Sequence, residues 1–185
     1  VLQIDLLLRE ICQQQPQKLD YQPLYLLAPN AADKYTIEEY EQTQKVSIQY
    51  TMPTFDEVST KAFAHLKQAP EGSICVLYYS GHGSHTTAPQ VFWHEKSDRQ
   101  NETWVCMDSR TEGKRDLIDK EIGYLLWDAL NDKNDTHCLV ITDSCHSGSS
   151  TRAAIANESQ NRIRHVASSN NNIPLTDYIG YPEGF

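Results

Sequence analysis

Two uninterrupted runs of apolar and β-branched residues stand out in the hydrophobic pattern of this chain. Residues 74–79 run toward the glycine-flanked His82, and residues 139–142 end shortly before Cys145. Short apolar runs that stop at small polar residues are typical of strands buried in a parallel sheet. Open α/β sheets place their sites at the carboxyl ends of strands, so we expect His82 and Cys145 to lie at one sheet edge if the two strands are neighbours.

Three other segments carry apolar residues at the spacing of an amphipathic helix, two of them after a capping residue. The predicted helices are residues 2–13 (stripe Ile4, Leu7, Leu8, Ile11), a helix capped by Thr54 with Glu57 and ending near Pro70, and a helix capped by Asp119 (stripe Ile122, Leu125, Leu126, Ala129, Leu130). Shorter runs predict a strand at residues 24–28 and a hairpin of residues 91–93 and 103–107, with residues 29–50 as a polar loop. Helices that alternate with strands indicate a parallel α/β sheet.

The totals place this pattern in one domain and exclude several classes of partner. At 185 residues the chain can bury a sizeable core, and its formal net charge of −9 argues against nucleic acid or an anionic membrane as the main partner. No apolar run approaches the roughly 20 residues of a membrane-spanning helix, and no basic stretch precedes the first leucines. We therefore expect no membrane segment, no signal peptide and a cytoplasmic location.

The cysteines fit reduced thiols better than a disulfide framework. There are five, an odd number, and most lie in or beside predicted strands. Cys12, Cys75, Cys106 and Cys138 are interpreted as small buried hydrophobes. Cys145 differs from them, because glycine and hydroxyl-bearing neighbours at a strand end leave its sulfur accessible.

Thiol chemistry explains why Cys145 needs a partner such as His82. A free thiol with a pKa of about 8.5 is mostly protonated at neutral pH, and a nearby imidazole favours the reactive thiolate. An imidazole with a pKa of about 6.5 can also return a proton to a leaving amine. His146 is the poorer base, since a side chain next in sequence at a strand end points away from its neighbour. A zinc site of His82, His85, Cys145 and His146 stays open as an alternative, although the usual spacing of zinc ligands is missing.

Each apolar run continues into a characteristic motif. The two motifs are Tyr79-Ser80-Gly81-His82-Gly83 and Asp143-Ser144-Cys145-His146-Ser147-Gly148, in the order His then Cys. Together they resemble the caspase-like cysteine peptidases, most closely the metacaspase and paracaspase branch. The resemblance implies a caspase-like three-layer α/β/α sandwich around a mostly parallel sheet, here mainly its large-subunit part. Residues 1–185 would form one peptidase domain, with residues 149–185 as a loop or linker toward a small-subunit region.

The resemblance also implies an activity. It is endopeptidase chemistry with a Cys145–His82 dyad, in which the backbone N–H groups of Gly83 and Cys145 hold the oxyanion. Asp143 occupies the position that lines an acidic S1 pocket in metacaspases, so cleavage after Arg or Lys is implied. The implied S1 residues are Asp143, Ser80 and Asp5.

No cofactor is expected. Many metacaspases bind calcium through acids, and Asp108, Asp116 and Asp119 lie in the corresponding region. Lys120 stands where that family often has a second acid, and no acid follows Cys145 closely. Because hard cations need several oxygen ligands, we expect no calcium site.

The expected partners are peptide substrates with Arg or Lys at the cleavage site, a small-subunit region or chain that completes the fold, and regulatory domains or an activator. A protease that cuts after basic residues can also cut itself, and Arg152, Arg162 and Arg164 are available for such processing. Two alternatives stay open. One is a caspase-like scaffold that binds a partner in a signalling or defence complex without catalysis, and the other is a thiol peptidase of the same clan, such as a legumain-like enzyme.

Overall fold

The computed structural model describes residues 1–17, 19–95, 97–144 and 172–182. The chain divides into two compact units, Val1–Pro53 and Thr54–Phe185. Cys145, His146 and the three arginines considered for self-cleavage lie outside the described residues. Within the described ranges, no helix combines the length and the apolar character that crossing a bilayer demands.

The first unit contains two helices and two short strands. In chain order these are α1 (Leu2–Gln14), β1 (Tyr25–Leu26), α2 (Ala31–Gln44) and β2 (Tyr50–Thr51). The strands pair in parallel, with Tyr25 opposite Tyr50. Tyr25, Ile37 and Ile48 form the buried core of this unit. The predicted first helix and first strand are therefore confirmed, although the strand is shorter.

Helix α2 occupies much of the segment assigned above to a polar loop, and that assignment is wrong. The helix begins at a capping box, in which Asn30 Oδ1 accepts a hydrogen bond from Asp33 N and Asp33 Oδ2 accepts one from Asn30 N, both at 3.0 Å. The one buried residue of α2 is Ile37. Because a single buried residue makes no apolar stripe, the capping pair was the sequence signal available for this helix.

Helix α1 forms where the periodicity predicts it, but it buries a different face. Leu7 and Ile11, two residues of the predicted stripe, are 50% and 43% exposed. The buried residue of α1 is Asp5, at 3% exposure. The apolar stripe is a poor guide here, because the buried side chain of α1 is charged, and Leu2, outside the predicted stripe, packs against the core.

The Asp5 carboxylate connects α1 to the strand and the helix of the first unit. Its Oδ1 accepts hydrogen bonds from Tyr21 OH at 2.6 Å and Tyr25 OH at 2.8 Å. Its Oδ2 accepts from Tyr40 OH at 2.7 Å and Arg9 Nε at 2.8 Å. Burial by itself raises the pKa of this carboxyl, but the four hydrogen bonds outweigh burial and hold the pKa below its ordinary value. The ionised form is therefore part of the folded structure.

The second unit contains a parallel pair of strands and an antiparallel sheet. β3 (Ile74–Ser80) and β7 (His137–Asp143) pair in parallel, so the two apolar runs are neighbours, as predicted. The antiparallel sheet has the order β4 (Gly83–Thr87), β5 (Gln100–Trp104) and β6 (Leu117–Ile118). The predicted hairpin of residues 91–93 and 103–107 is wrong, because the strands that pair are β4 and β5, and of the two predicted runs only residues 103 and 104 are in a strand. Residues 91–93 lie in a 3-10 turn (Gln90–Phe92) and in the turn after it, and Phe92 is buried.

Helical segments precede both parallel strands. They are α3 (Phe55–Glu57), a π-helical turn (Val58–Ala62) and α4 (Phe63–Lys67) before β3, and α5 (Asp119–Leu130) before β7. The cap at Thr54 is confirmed, since its side chain accepts a hydrogen bond from Glu57 N at 3.3 Å. The cap predicted at Asp119 is wrong, because Ile118 is the N-cap residue of α5. Glu121 caps this helix instead, with Oε2 accepting a hydrogen bond from Ile118 N at 3.1 Å.

The parallel pair is more exposed than its apolar sequence predicts. Ile74 on β3 and both Leu139 and Val140 on β7 are exposed. Successive strand residues point to opposite faces, so the expectation that β7 is buried on both faces is wrong for the described residues. The three-layer sandwich stays a prediction.

Four free cysteines lie in the described ranges. Cys75 and Cys106 are buried, as predicted, whereas Cys12 is half-buried and Cys138 is exposed, so the burial predicted for these two is wrong. Burial raises the pKa of the Cys106 thiol to about 12 and also raises that of Cys75, which suits inert packing residues.

We expect Asp5→Asn to lower the free energy of unfolding by about 3 kcal/mol, the typical cost of breaking a buried charge pair. A folded-state pKa below the ordinary value means that the contribution is complete above that value and is lost on acidification. The difference between wild type and variant, measured by urea unfolding, should be full at pH 7 and shrink below about pH 4. Glu10→Gln, on an exposed position of α1, is the control, and equal effects of both variants would contradict the role of Asp5.

Candidate active site

The carboxyl ends of β3 and β7 meet at one edge, as the sequence predicts. Ser80 lies opposite Asp143, and Gly81 N donates a hydrogen bond to Asp143 O at 3.3 Å. His82 is the second residue after Ser80, and Cys145 is the second residue after Asp143. Cys145 lies outside the described residues, and the last residue pair of the register is Ser80 with Asp143.

His82 is an exposed residue on a turn whose backbone is fixed by hydrogen bonds. It lies between the end of β3 and the start of β4. Its carbonyl oxygen accepts hydrogen bonds from Val105 N at 3.1 Å and from Tyr79 OH at 2.7 Å. An exposed imidazole on a fixed backbone can exchange protons with a bound substrate group, which is what general acid–base catalysis requires.

The strand pairing directs the N–H group of Gly83 away from β5. The hydrogen bond from Val105 N to His82 O marks this residue pair as a hydrogen-bonded pair of the β4–β5 ladder. Such pairs alternate with pairs that exchange no hydrogen bonds, and the next pair, Gly83 with Trp104, is of the second kind. The Gly83 N–H therefore points to the side of β4 away from β5, a direction compatible with an oxyanion donor.

Ser80 and Asp143 are in contact at the same edge. Ser80 Oγ donates a hydrogen bond to Asp143 Oδ2 at 3.2 Å, and Asp143 is exposed. An accessible carboxylate can accept paired hydrogen bonds from a guanidinium group or a single ion pair from an ammonium group. The structure thus brings two of the three predicted S1 residues together.

Asp5, the third predicted S1 residue, lies in the first unit. Both of its carboxylate oxygens accept hydrogen bonds, from Arg9 and three tyrosines. These contacts give Asp5 a structural role in that unit, and its role as a pocket acid stays a prediction.

The acids considered for calcium make contacts within the protein. Asp108 Oδ1 accepts a hydrogen bond from Phe55 N at 2.7 Å. Asp116 is buried, and its Oδ2 accepts from Arg110 and Thr103, both at 3.0 Å. In the part of the chain that the structure describes, no group of three or more His, Cys, Asp or Glu residues is placed to hold a metal ion. Calcium independence stays a prediction, and the zinc alternative depends on Cys145 and His146, outside the described residues.

Sequence reasoning missed the aromatic support of the His82 turn. The rings of Tyr79 and Trp104 stack with centroids 4.5 Å apart and planes 4° apart. A Cβ on Gly81 would lie 2.7 Å from the Tyr79 hydroxyl oxygen, so a side chain at that position would collide with the tyrosine. Strand alternation was the signal available, because it puts residues two apart, such as Tyr79 and Gly81, on one side of the chain.

The metacaspase, peptidase C14 domain profile matches residues 24–153, which is more than half of the chain and includes both motifs. The chain belongs to the metacaspase family. It is therefore related to caspase-like cysteine peptidases, and the family implies a caspase-like fold for it.

Among solved structures, the metacaspase chain resembles the crystal structure of a protein from Geobacter sulfurreducens. The match has 25% sequence identity and a TM-score of 0.45, and it covers 76% of this chain and 48% of the other. The chain thus spans about half the length of that protein. The search of curated proteins found no match.

We expect Gly81→Ala to destabilise the protein by about 1–3 kcal/mol, the usual range for overpacking. Its new Cβ would lie 2.7 Å from the Tyr79 oxygen, on a ring that is stacked and cannot easily move aside. Gly123→Ala on α5 is the matched control, since a Cβ there meets nothing within 4 Å. Helix propensity should make that variant more stable by up to about 1 kcal/mol. Thermal unfolding measures both effects, and shifts of the same sign and size would show that the space beside Gly81 is not filled as described.

Proposed function

We propose that this metacaspase is an active cysteine endopeptidase that hydrolyses peptide bonds after Arg or Lys through a Cys145–His82 dyad. The observation that carries the proposal is the parallel register of β3 and β7, with Ser80 opposite Asp143. This register supports the approach of the two motifs, because each follows its strand at the same edge. Family membership supports the reaction class.

In the proposed mechanism, His82 takes the proton of the Cys145 thiol, and the thiolate attacks the scissile carbonyl carbon. A carbon–sulfur bond forms while the carbonyl electrons move onto oxygen. The backbone N–H groups of Gly83 and Cys145 bind this oxyanion, and a donor of this type is typically worth roughly 10²–10³ in rate. When the carbon–nitrogen bond breaks, the His82 imidazolium protonates the leaving amine.

Hydrolysis of the thioester completes the cycle. His82 takes a proton from water, and the resulting hydroxide attacks the thioester carbonyl under the same oxyanion donors. The carbon–sulfur bond breaks, the new carboxyl product leaves, and the proton held by His82 restores the dyad. No step needs a metal or a cofactor.

The preference for a basic residue rests on Asp143. Its exposed carboxylate lies at the sheet edge and is oriented by the hydrogen bond from Ser80. The formal net charge of −9 also favours the approach of basic substrates, through long-range attraction. The role of Asp5 as a further pocket acid stays a prediction, and its oxygens accept four hydrogen bonds within the first unit.

The proposal includes partners and a location. We propose a cytoplasmic peptidase whose cleft is completed by a small-subunit region or a second chain, with regulatory domains or an activator controlling it. Cleavage at Arg152, Arg162 or Arg164 by the enzyme itself is the proposed activation step. The alternative is a silent caspase-like scaffold, which would need neither Cys145 nor His82 for its function.

The first test is hydrolysis of fluorogenic peptides that differ only in P1, carrying Arg, Lys, Asn or Asp, with and without calcium. Wild type should cleave the Arg and Lys peptides, and Cys145→Ala and His82→Ala should reduce cleavage to background. His94→Ala, at an exposed turn position, is the control and should keep full activity. An absence of thiol-dependent cleavage would favour the scaffold, and a preference for P1 Asn would favour a legumain-like enzyme. Dependence on calcium would contradict the expectation of no metal.

Intact masses of wild type and Cys145→Ala test self-processing, which requires fragments from wild type alone.

A second test separates substrate choice from catalysis. Asp143→Asn should lower kcat/KM for the P1 Arg peptide at least tenfold, because about 1.4 kcal/mol of charge pairing corresponds to tenfold. Cleavage of a P1 Gln peptide by the same variant should change far less. Asp132→Asn, an exposed acid in the turn before β7, is the matched control for lost charge. A preference of wild type for P1 Asp, or equal losses in the two variants, would show that Asp143 does not select the basic residue.

A further inference from the structure

The turn that carries His82 is held by two hydrogen bonds of different origin. One comes from Val105 N, at 3.1 Å from His82 O, and continues the β4–β5 ladder by one residue pair. The other comes from Tyr79 OH, at 2.7 Å from the same oxygen. A main-chain bond forms with almost any sequence, whereas the second bond depends on one side chain.

Tyr79 is well suited to remain a donor. Burial raises the pKa of its hydroxyl, so the group stays protonated throughout the neutral range. Its ring stacks on Trp104 at 4.5 Å, and its hydroxyl also lies 3.2 Å from Val105 O. The ring is therefore held by Trp104 of β5, and the hydroxyl lies between His82 O and Val105 O, so the side chain has little freedom to leave His82 O.

The glycine between the two residues completes this arrangement. Tyr79 reaches His82 past Gly81, and its hydroxyl oxygen lies 2.7 Å from the position that a Gly81 Cβ would take. A larger residue at position 81 would need the space that the tyrosine hydroxyl occupies beside His82 O. The tyrosine and the glycine thus act together in setting the path of the turn.

We propose that Tyr79 is a positioning residue for His82, acting through the hydrogen bond between its hydroxyl and the His82 carbonyl oxygen. This inference rests on the proposed function, in which His82 is the acid and base. The orientation of the His82 backbone sets the direction of its Cα–Cβ bond and therefore the position of the imidazole. Displacing a catalytic group by about 1 Å can cost on the order of 10²-fold in rate.

The deciding variant is Tyr79→Phe, which keeps the ring stacked on Trp104 and removes only the hydroxyl. Its kcat for the P1 Arg peptide should fall roughly tenfold to a hundredfold with KM within about twofold, because the imidazole is misplaced and the S1 residues are not. Alkylation of Cys145 by iodoacetamide should slow in parallel, since a displaced His82 activates the thiol less. Tyr78→Phe is the matched control, because the neighbouring strand residue points to the other face. It should leave kcat, KM and the alkylation rate unchanged.

Amide hydrogen exchange gives a readout that does not depend on catalysis. In Tyr79→Phe the Val105 N–H, which donates to His82 O, should exchange faster than in wild type and in Tyr78→Phe. Unchanged kcat, or a loss in kcat matched by Tyr78→Phe, would overturn the positioning role. An inactive wild type would instead overturn the proposed function. In that case, unchanged exchange of the Val105 N–H in Tyr79→Phe would also overturn the inference that the Tyr79 hydroxyl fixes the backbone at His82.

Discussion

The parallel pairing of β3 with β7 is the constraint on which the arrangement of the candidate site depends. A slip of one residue would turn Asp143 to the other face of the sheet and break its hydrogen bond with Ser80. It would also shift the segment leading to Cys145 against the turn that carries His82. The arrangement of Ser80 and Asp143 at the candidate site is therefore set first by backbone hydrogen bonds between strands that are far apart in sequence.

The antiparallel sheet also helps to fix the backbone position of His82. The chain leaves β3 at Ser80 and enters β4 at Gly83, so the short link between them is tied to both sheets. Gly81 N bonds to Asp143 O of the parallel pair, and His82 O accepts from Val105 N beyond β5. His82, between these two hydrogen bonds, is exposed and yet has a defined backbone, which would suit the acid–base role proposed for it.

Buried carboxylates have a comparable organising role away from the site. In the second unit Glu121 is fully buried and receives two hydrogen bonds from Arg115, at 2.6 and 2.7 Å. It also accepts from Ile118 N at 3.1 Å and Ile179 N at 2.9 Å. Like Asp5 in the first unit, this charge is retained in the interior because every oxygen has donors. Each acid joins a helix to segments that no local pattern relates to it.

The sequence by itself determined the local elements and indicated the candidate reacting groups. Helical periodicity placed α1 and α5, the two apolar runs placed β3 and β7, and the residues around His82 and Cys145 indicated a caspase-like peptidase, because these signals lie between near neighbours in the chain. Only the tertiary structure decided the helix at α2, the polar buried face of α1, the capping of α5 by Glu121 and the hold of Tyr79 on His82. The buried Asp5 binds tyrosines 16 to 35 residues away, and the Tyr79 ring stacks on Trp104 of another sheet, so these contacts leave no periodic trace in the chain. The capping contacts of α2 and of Glu121 join residues only three apart, but a capping pair makes no apolar period, so the hydrophobic pattern did not reveal them.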